Sequence, residues 1–372
     1  MESMRAIWVG TAILALAAVS SAANAQATAE LWVHESVVKL PHDHQGPFVK
    51  RDDGAIVAID NKDSLVSHDL GKTWQNQPLF APQQQTERPI TVSNERALLR
   101  TESGTIVASF MNLRQRNWTW KNQLHDAPDA VLPAYAMRSL DGGRTWQDLH
   151  KLHDDWTGAI RDIIQTKEGR IVIAAQKMLH NPGRHATITY WSDDDGKTWQ
   201  AGNTIDLGGQ GHHGGNMEPT LVELADGRVW MLIRTNWGEF WSAWSYDGGR
   251  TWRVLEPSGI KASSAPAIVE RLASGKLAMV WNQPYPEGKD SFKLSGGDGL
   301  WSETPVSNHR EELSIAFSSD EGQSWTKPIV LARQAGKWLS YPYLFEPQPG
   351  ILWLTTMQGG LRLQLREDDF AK

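Results

Sequence analysis

Two carboxylic acids and a phenol stand at matching places in a pattern that runs along this 372-residue chain: Glu95, Glu218 and Tyr341. Each lies nine residues before the turn glycine of a repeated strand–turn–strand unit, where a purely structural strand favours Val or Ile. Carboxyl groups trade protons. A phenol, with a pKa of about 10, attacks near neutral pH only beside a carboxylate that takes its proton. Cysteine is absent, which removes disulfides, thiol nucleophiles and Cys-ligated metal centres together. His42/His44 and His212/His213 form pairs, but no Asp, Glu or His spacing repeats a known zinc site, so neither metal nor cofactor is expected.

The elements that must position these groups are repeats. Five segments share one turn: Ser67 to Trp74, Ser139 to Trp146, Ser192 to Trp199, Ser245 to Trp252 and Ser318 to Trp325, in the form S-x-D-x-G-x-[TS]-W. Asp accepts hydrogen bonds from backbone N–H groups further on, Gly supplies a positive φ, and Trp packs the turn onto its sheet. These aspartates are therefore structural, and the turns absorb five of the 19 Trp. A second pattern, an apolar strand, a turn glycine and another apolar strand, recurs six times, with its glycines at 54, 104, 169, 227, 275 and 350, a mean interval of about 59 residues. That is the length of a four-stranded blade with generous loops. The fold expected is all-β, a six-bladed propeller of antiparallel four-stranded blades. The sixth unit lacks the Asp turn, and Glu30 to Lys39 has no partner of its own, so this N-terminal strand is expected to complete the last blade and close the ring.

The register then predicts which side chains ring the central mouth: Gln45, Glu95, Ile160, Glu218, Ala265 and Tyr341. Arg96 and Arg161 lie beside this ring on the second and third blades and could add contacts. Trp118, Trp120 and Trp237 could flank a sugar ring.

Composition sets the outer limits. With 37 basic and 43 acidic side chains and 40% hydrophobic residues, the chain is neither a disordered acidic tail nor a basic nucleic-acid binder. Met1 to Arg5 is positively charged, Ala6 to Val19 is apolar, and Ala23-Asn24-Ala25 has the A-x-A form of a cleavage site. Residues 1–25 are read as a signal peptide and 26–372 as the propeller, periplasmic or secreted. The apolar stretch is shorter than the roughly 20 residues a membrane span needs, and no other segment is long enough.

The Asp turn repeated on five of six blades resembles the sialidase (neuraminidase) superfamily, known for its Asp-boxes, over essentially the whole mature chain. The resemblance implies an exo-acting retaining glycosidase acting on an acidic glycan or glycoconjugate, sialic acid or a related sugar. Tyr341, in Ser-Tyr341-Pro-Tyr-Leu, would be the nucleophile and Glu218, in Asn-Met-Glu218-Pro, its activator; a phenol is used because a carboxylate nucleophile would be repelled by the substrate's own carboxylate. Glu95 stands in the slot of the family's acid/base Asp, while Arg234 and Arg310 match the second and third of its three carboxylate-binding arginines. The first belongs to an Arg-Ile-Pro segment, and this chain has His44-Gln-Gly-Pro47 instead. A histidine, with a reference pKa near 6.5, grips a carboxylate less firmly or accommodates a different group. Two other uses of the same pocket stay open at this point: a lyase or hydrolase for other acidic sugars with His44 or Tyr341 as base, and a glycan-binding propeller without catalysis.

Overall fold

The computed structural model describes residues 30–82, 89–209, 211, 213–286 and 307–371; the expected signal segment, and His212, lie outside them. Six antiparallel sheets follow one another along the chain, each built of consecutive strands, with an N-terminal strand added to each of the last two. The innermost strands are Phe48–Lys50, Val92–Arg100, Ile160–Gln165, Met217–Glu223, Ile268–Arg271 and Ser340–Gln348. All six neighbouring pairs of these, including the first with the last across the ring closure, pack against each other, so they surround a common axis. The expected six-bladed propeller is the observed one.

Second strands such as Ile56–Ile59, Ile171–Leu179 and Val229–Arg234 are buried almost throughout, which is why they read as unbroken apolar runs rather than as alternating ones. Their two faces pack toward two neighbouring blades. The core is accordingly divided into six clusters at the six blade junctions, for example Val57 with Ala108 between blades one and two, and Phe48 with Trp353 between blades one and six.

Closure works as expected, with one addition. Val38–Lys39 pairs with Arg362–Arg366 as the outer strand of blade six, but Trp32–Val33 pairs with Ile329–Arg333 and gives blade five a fifth strand. A tight turn divides the segment, with Val37 N–H donating to the His34 carbonyl at 2.9 Å and Ser36 N–H to His34 Nδ1 at 3.2 Å. One apolar stretch thus ties two blades together.

The Asp-boxes are built as the sequence implies. In the fourth, Asp247 accepts from Thr251 N–H at 2.9 Å and from the Thr251 hydroxyl at 2.6 Å, while Ser245 Oγ donates to Asp247 and accepts from Gly249 N–H, both at 2.8 Å. They also do something that the repeat did not predict: each packs onto the preceding blade. A Cβ on Gly249 would come within 2.6 Å of Val172 on blade three, and one on Gly143 within 2.9 Å of Val57 on blade one. Both glycines have positive φ, so the turn needs glycine twice over, for conformation and for close approach. The boxes clamp blade to blade.

Candidate active site

Irregularities in the innermost strands create the site. The register of blade two shifts between Val92 and Arg96, that of blade three between Ile160 and Asp162, and that of blade four between Met217 and Thr220. Such bulges re-aim a side chain out of the regular alternation. Glu218 and Tyr341 go further: both hold left-handed backbone angles, with φ of 48° and 63°. A non-glycine residue held there costs about 1–3 kcal/mol, and it persists only where the surrounding structure enforces it.

Tyr341 donates its hydroxyl proton to Glu218 Oε1 at 2.8 Å, across 123 residues of sequence and from blade six to blade four. Arg234, from the strand beside Glu218, donates Nη1 to Glu218 Oε2 at 2.5 Å and to the Tyr341 hydroxyl at 3.3 Å. Its Nε and Nη2 reach Ser264 Oγ on blade five at 3.1 and 2.9 Å. Ser264 passes this bond on to Asn236 Oδ1 at 2.6 Å. Arg310 donates to the Ser264 carbonyl and, at 3.1 Å, to Gln358 Oε1; its guanidinium lies between the rings of Trp338 and Tyr341, 4.5 and 5.8 Å from their centroids. Glu218, Tyr341, Arg234 and Arg310 are all buried.

Electrostatics separates the three proton-bearing groups. Burial would raise the Glu218 carboxyl, but the adjacent Arg234 guanidinium, the hydrogen bonds from Arg234 and Tyr341, and Arg310 outweigh it and hold it below the ordinary carboxylate range. Glu218 is therefore an ionised acceptor. Tyr341 is pushed well above the usual phenol value by burial and then by the charge of Glu218, with Arg234 and Arg310 opposing. Glu95 is pushed up to about 8, first by burial and then by Glu218, with Arg161 and Arg234 pulling the other way. Its Oε1 is buried without a hydrogen-bond partner. Near neutrality Glu95 thus carries a proton, Glu218 does not, and three guanidinium groups stand around a single negative charge. Such a site favours an anionic ligand.

The structure sorts the sequence-derived site residues. Glu95, Glu218, Tyr341, Arg234 and Arg310 form one electrostatically coupled group at the axis. At blade three the register position is off by one: Ile160 enters the apolar cluster between blades two and three, and Arg161 takes the axial place because of the bulge. Arg96 serves the scaffold, donating to the carbonyls of Ser93 and Gly46 at 3.1 and 3.0 Å. Gln45 donates to the Asn94 carbonyl, and Ala265 is buried. His44 does not join the group. It packs against Trp74 with ring centroids 4.8 Å apart, burial lowers its pKa, and the charges acting on it are Asp60, Arg362 and Asp43. His42 lies beside it, held neutral to about 4, mainly by burial. Among the described residues no group of three or more metal-ligating side chains is assembled.

Trp118 packs on Trp156 at 4.3 Å and stacks with Trp120, so these two rings fix the long blade-two insertion. Trp338, which lies against the Arg310 guanidinium, is exposed, as is Trp237, which packs on Trp241. Sequence reading missed Ser264, Gln358 and Trp338. Ser264 stands one place before the blade-five register position, and a serine pair opening an apolar strand is the signal that marks it. A cavity lined by Phe48, Leu98, Ile163, Glu270, Leu344 and Phe345 opens toward the other end of the innermost strands and includes none of the site groups.

Comparison with known proteins agrees with this architecture. The family model of the BNR repeat-like domain matches residues 48–354. A sialidase of Micromonospora viridifaciens is 26% identical over 313 residues, which are 77% of this chain and 44% of that protein. A sialidase of Vibrio cholerae serotype O1 is 24% identical over 192 residues, 47% of this chain and 23% of that one. The chain thus spans less than half the length of these curated relatives. Among solved structures, the Hadza microbial sialidase Hz136 superposes with a TM-score of 0.59 at 17% identity, covering 87% of this chain and 65% of that one. Trypanosoma rangeli sialidase, with 2,3-difluorosialic acid as a covalent intermediate, does so with 0.54 at 15% identity, covering 92% and 59%. At these identities the structural likeness concerns the fold.

Proposed function

The chain belongs to the BNR repeat-like domain family of sialidase-type propellers, and from that premise we propose that it is an exo-acting glycoside hydrolase that removes a terminal acidic sugar, sialic acid or a related ulosonic acid, from glycans. The observation that carries this reading is the hydrogen bond from Tyr341 to an ionised Glu218, in a surrounding of three guanidinium groups. In the forward step the Tyr341 hydroxyl oxygen bonds to the anomeric carbon while its proton passes to Glu218. The glycosidic C–O bond breaks, and the departing oxygen takes the proton of Glu95. Water then attacks the glycosyl–tyrosine bond, giving its proton to Glu95, and Glu218 returns its own to the phenolate. Arg234 and Arg310 orient the substrate carboxylate, and Arg234 also holds Glu218 in its charged form. His44, away from this group, neither replaces the first arginine of the family nor serves as a lyase base.

The N-terminal segment supports export, so the protein would meet its substrate in the periplasm or outside the cell. Incubation with fluorogenic sialosides and related ulosonides should release the reporter with wild type and not with Tyr341→Phe. Silence of the wild type across all of them overturns the reading, and a product absorbing in the near ultraviolet would replace hydrolysis by elimination.

A further inference from the structure

Arg161 is the cation that this mechanism leaves without a task. Its side chain is among the largest fully buried ones, 2% exposed, at the axial end of blade three. Nη2 donates to the carbonyl of Pro342 at 2.7 Å, immediately after Tyr341. Nε and Nη1 have no hydrogen-bond partner, and among the described residues no carboxylate lies within ion-pair distance. Instead the guanidinium lies over two aromatic rings of blade six, 5.3 Å from the centroid of Tyr341 and 4.7 Å from that of Tyr343. Tyr343 is itself fixed by its hydroxyl, which accepts from Arg96 N–H at 3.2 Å and donates to the Arg96 carbonyl at 3.0 Å.

Burying a guanidinium that no carboxylate contacts is costly, and a plain structural role would be filled better by an apolar side chain. The cost has a use if negative charge develops beside it. A neutral phenol attracts a cation at its face weakly through its quadrupole; a phenolate, whose charge spreads into the ring, attracts it much more strongly. Stabilisation that grows as charge develops is the kind that accelerates a reaction. We propose that Arg161 is a positioning residue for the nucleophile: stacked on the ring and bonded to the next carbonyl, it holds Tyr341 in its left-handed conformation and stabilises the negative charge that forms as the proton moves to Glu218. This rests on Tyr341 being the nucleophile, and it changes the expected part of Arg161 from a substrate contact to a support of the phenol.

The test places a ring-fluorinated tyrosine, whose phenol titrates nearer neutrality, at position 341 of the full-length protein and follows phenolate absorbance against pH. The other charged groups facing this ring, Glu218 and Arg234 on blade four, Arg310 on blade five and Glu95 on blade two, stay unchanged. Arg161→Gln keeps a donor toward the Pro342 carbonyl but removes the charge, and Arg161→Lys keeps the charge. The midpoint should rise by about one pH unit in Arg161→Gln and stay near wild type in Arg161→Lys. In the unlabelled protein kcat should fall on the order of 10²-fold in Arg161→Gln with KM little changed, and recover in part with Lys. An unchanged midpoint in Arg161→Gln, or an equal shift in both variants, overturns the proposal. Because the titration needs no turnover, it separates failure of this inference from failure of the glycosidase reading, which shows as an inactive wild type.

Discussion

Tyr341 and Glu218 share a 2.8 Å hydrogen bond and also a backbone anomaly, since both residues sit in left-handed conformations that side chains of their size avoid. The two strains are independent in sequence and meet at one contact. Relaxing either residue to an ordinary strand conformation would re-aim its side chain and separate hydroxyl from carboxylate. The ring of blades, clamped by Asp-boxes, supplies the rigidity that keeps both in place.

Removing the acceptor should disable the phenol. Glu218→Gln keeps the volume but cannot take a proton, so kcat on a fluorogenic sialoside should fall by roughly 10²–10⁴-fold. An undiminished rate would transfer the role of base elsewhere.

Activity should decline above about pH 8 as Glu95 loses its proton. The sign follows from its raised pKa: the protonated acid is the form that donates to a leaving oxygen, and it is lost as pH rises through that value. By the same linkage, stability associated with neutral Glu95 is complete below the ordinary glutamate value of 4.5 and fades as pH rises toward about 8. Glu95→Gln should flatten both the alkaline limb and this part of the stability profile. Leaving groups that need no proton should be spared most, which a series of aryl glycosides would reveal.

Arg234→Met should destabilise the fold by about 3–5 kcal/mol, because it leaves the buried Glu218 charge without its partner. Adding Glu218→Gln should restore much of that loss. Urea unfolding of both single variants and the double variant measures the coupling, and simple additivity would show that the pair is not a unit.

Arg310→Met should raise KM for an acidic sugar by tenfold or more, the worth of a hydrogen bond to a charged group, while a neutral analogue should bind equally to both forms. Equal losses for both ligands would mean that Arg310 shapes the pocket rather than reading charge.

Asp247→Ala in the fourth Asp-box should cost about 1–3 kcal/mol, because Thr251 N–H and its hydroxyl lose their acceptor, and should leave KM unchanged. Burial opposes the fall, yet the hydrogen bonds from Thr251 and Ser245 hold Asp247 below its ordinary value. Its contribution should therefore be present above about pH 4 and be lost as pH falls through the lower native value. Unfolding curves at two pH values would show it.

Repetition is what made the architecture legible from the residues alone. Six glycine-marked strand pairs and five Asp turns are local patterns, each set by φ preferences and hydrogen bonds within a few residues, and counting them counts the blades. The same register brought Glu95, Glu218 and Tyr341 into view as polar residues where apolar ones belong. Tertiary structure decided the rest. A bulge, which adds a residue without any mark in the sequence, put Arg161 rather than Ile160 on the axis. Packing at the junction of blades six and one drew His44 to Trp74 instead of to the site. Ser264 became the partner of Arg234 because neighbouring blades meet there, 30 residues apart along the chain. Local chemistry repeats and can be read one unit at a time, whereas contacts between units depend on sub-ångström fits of whole sheets, which no single segment encodes.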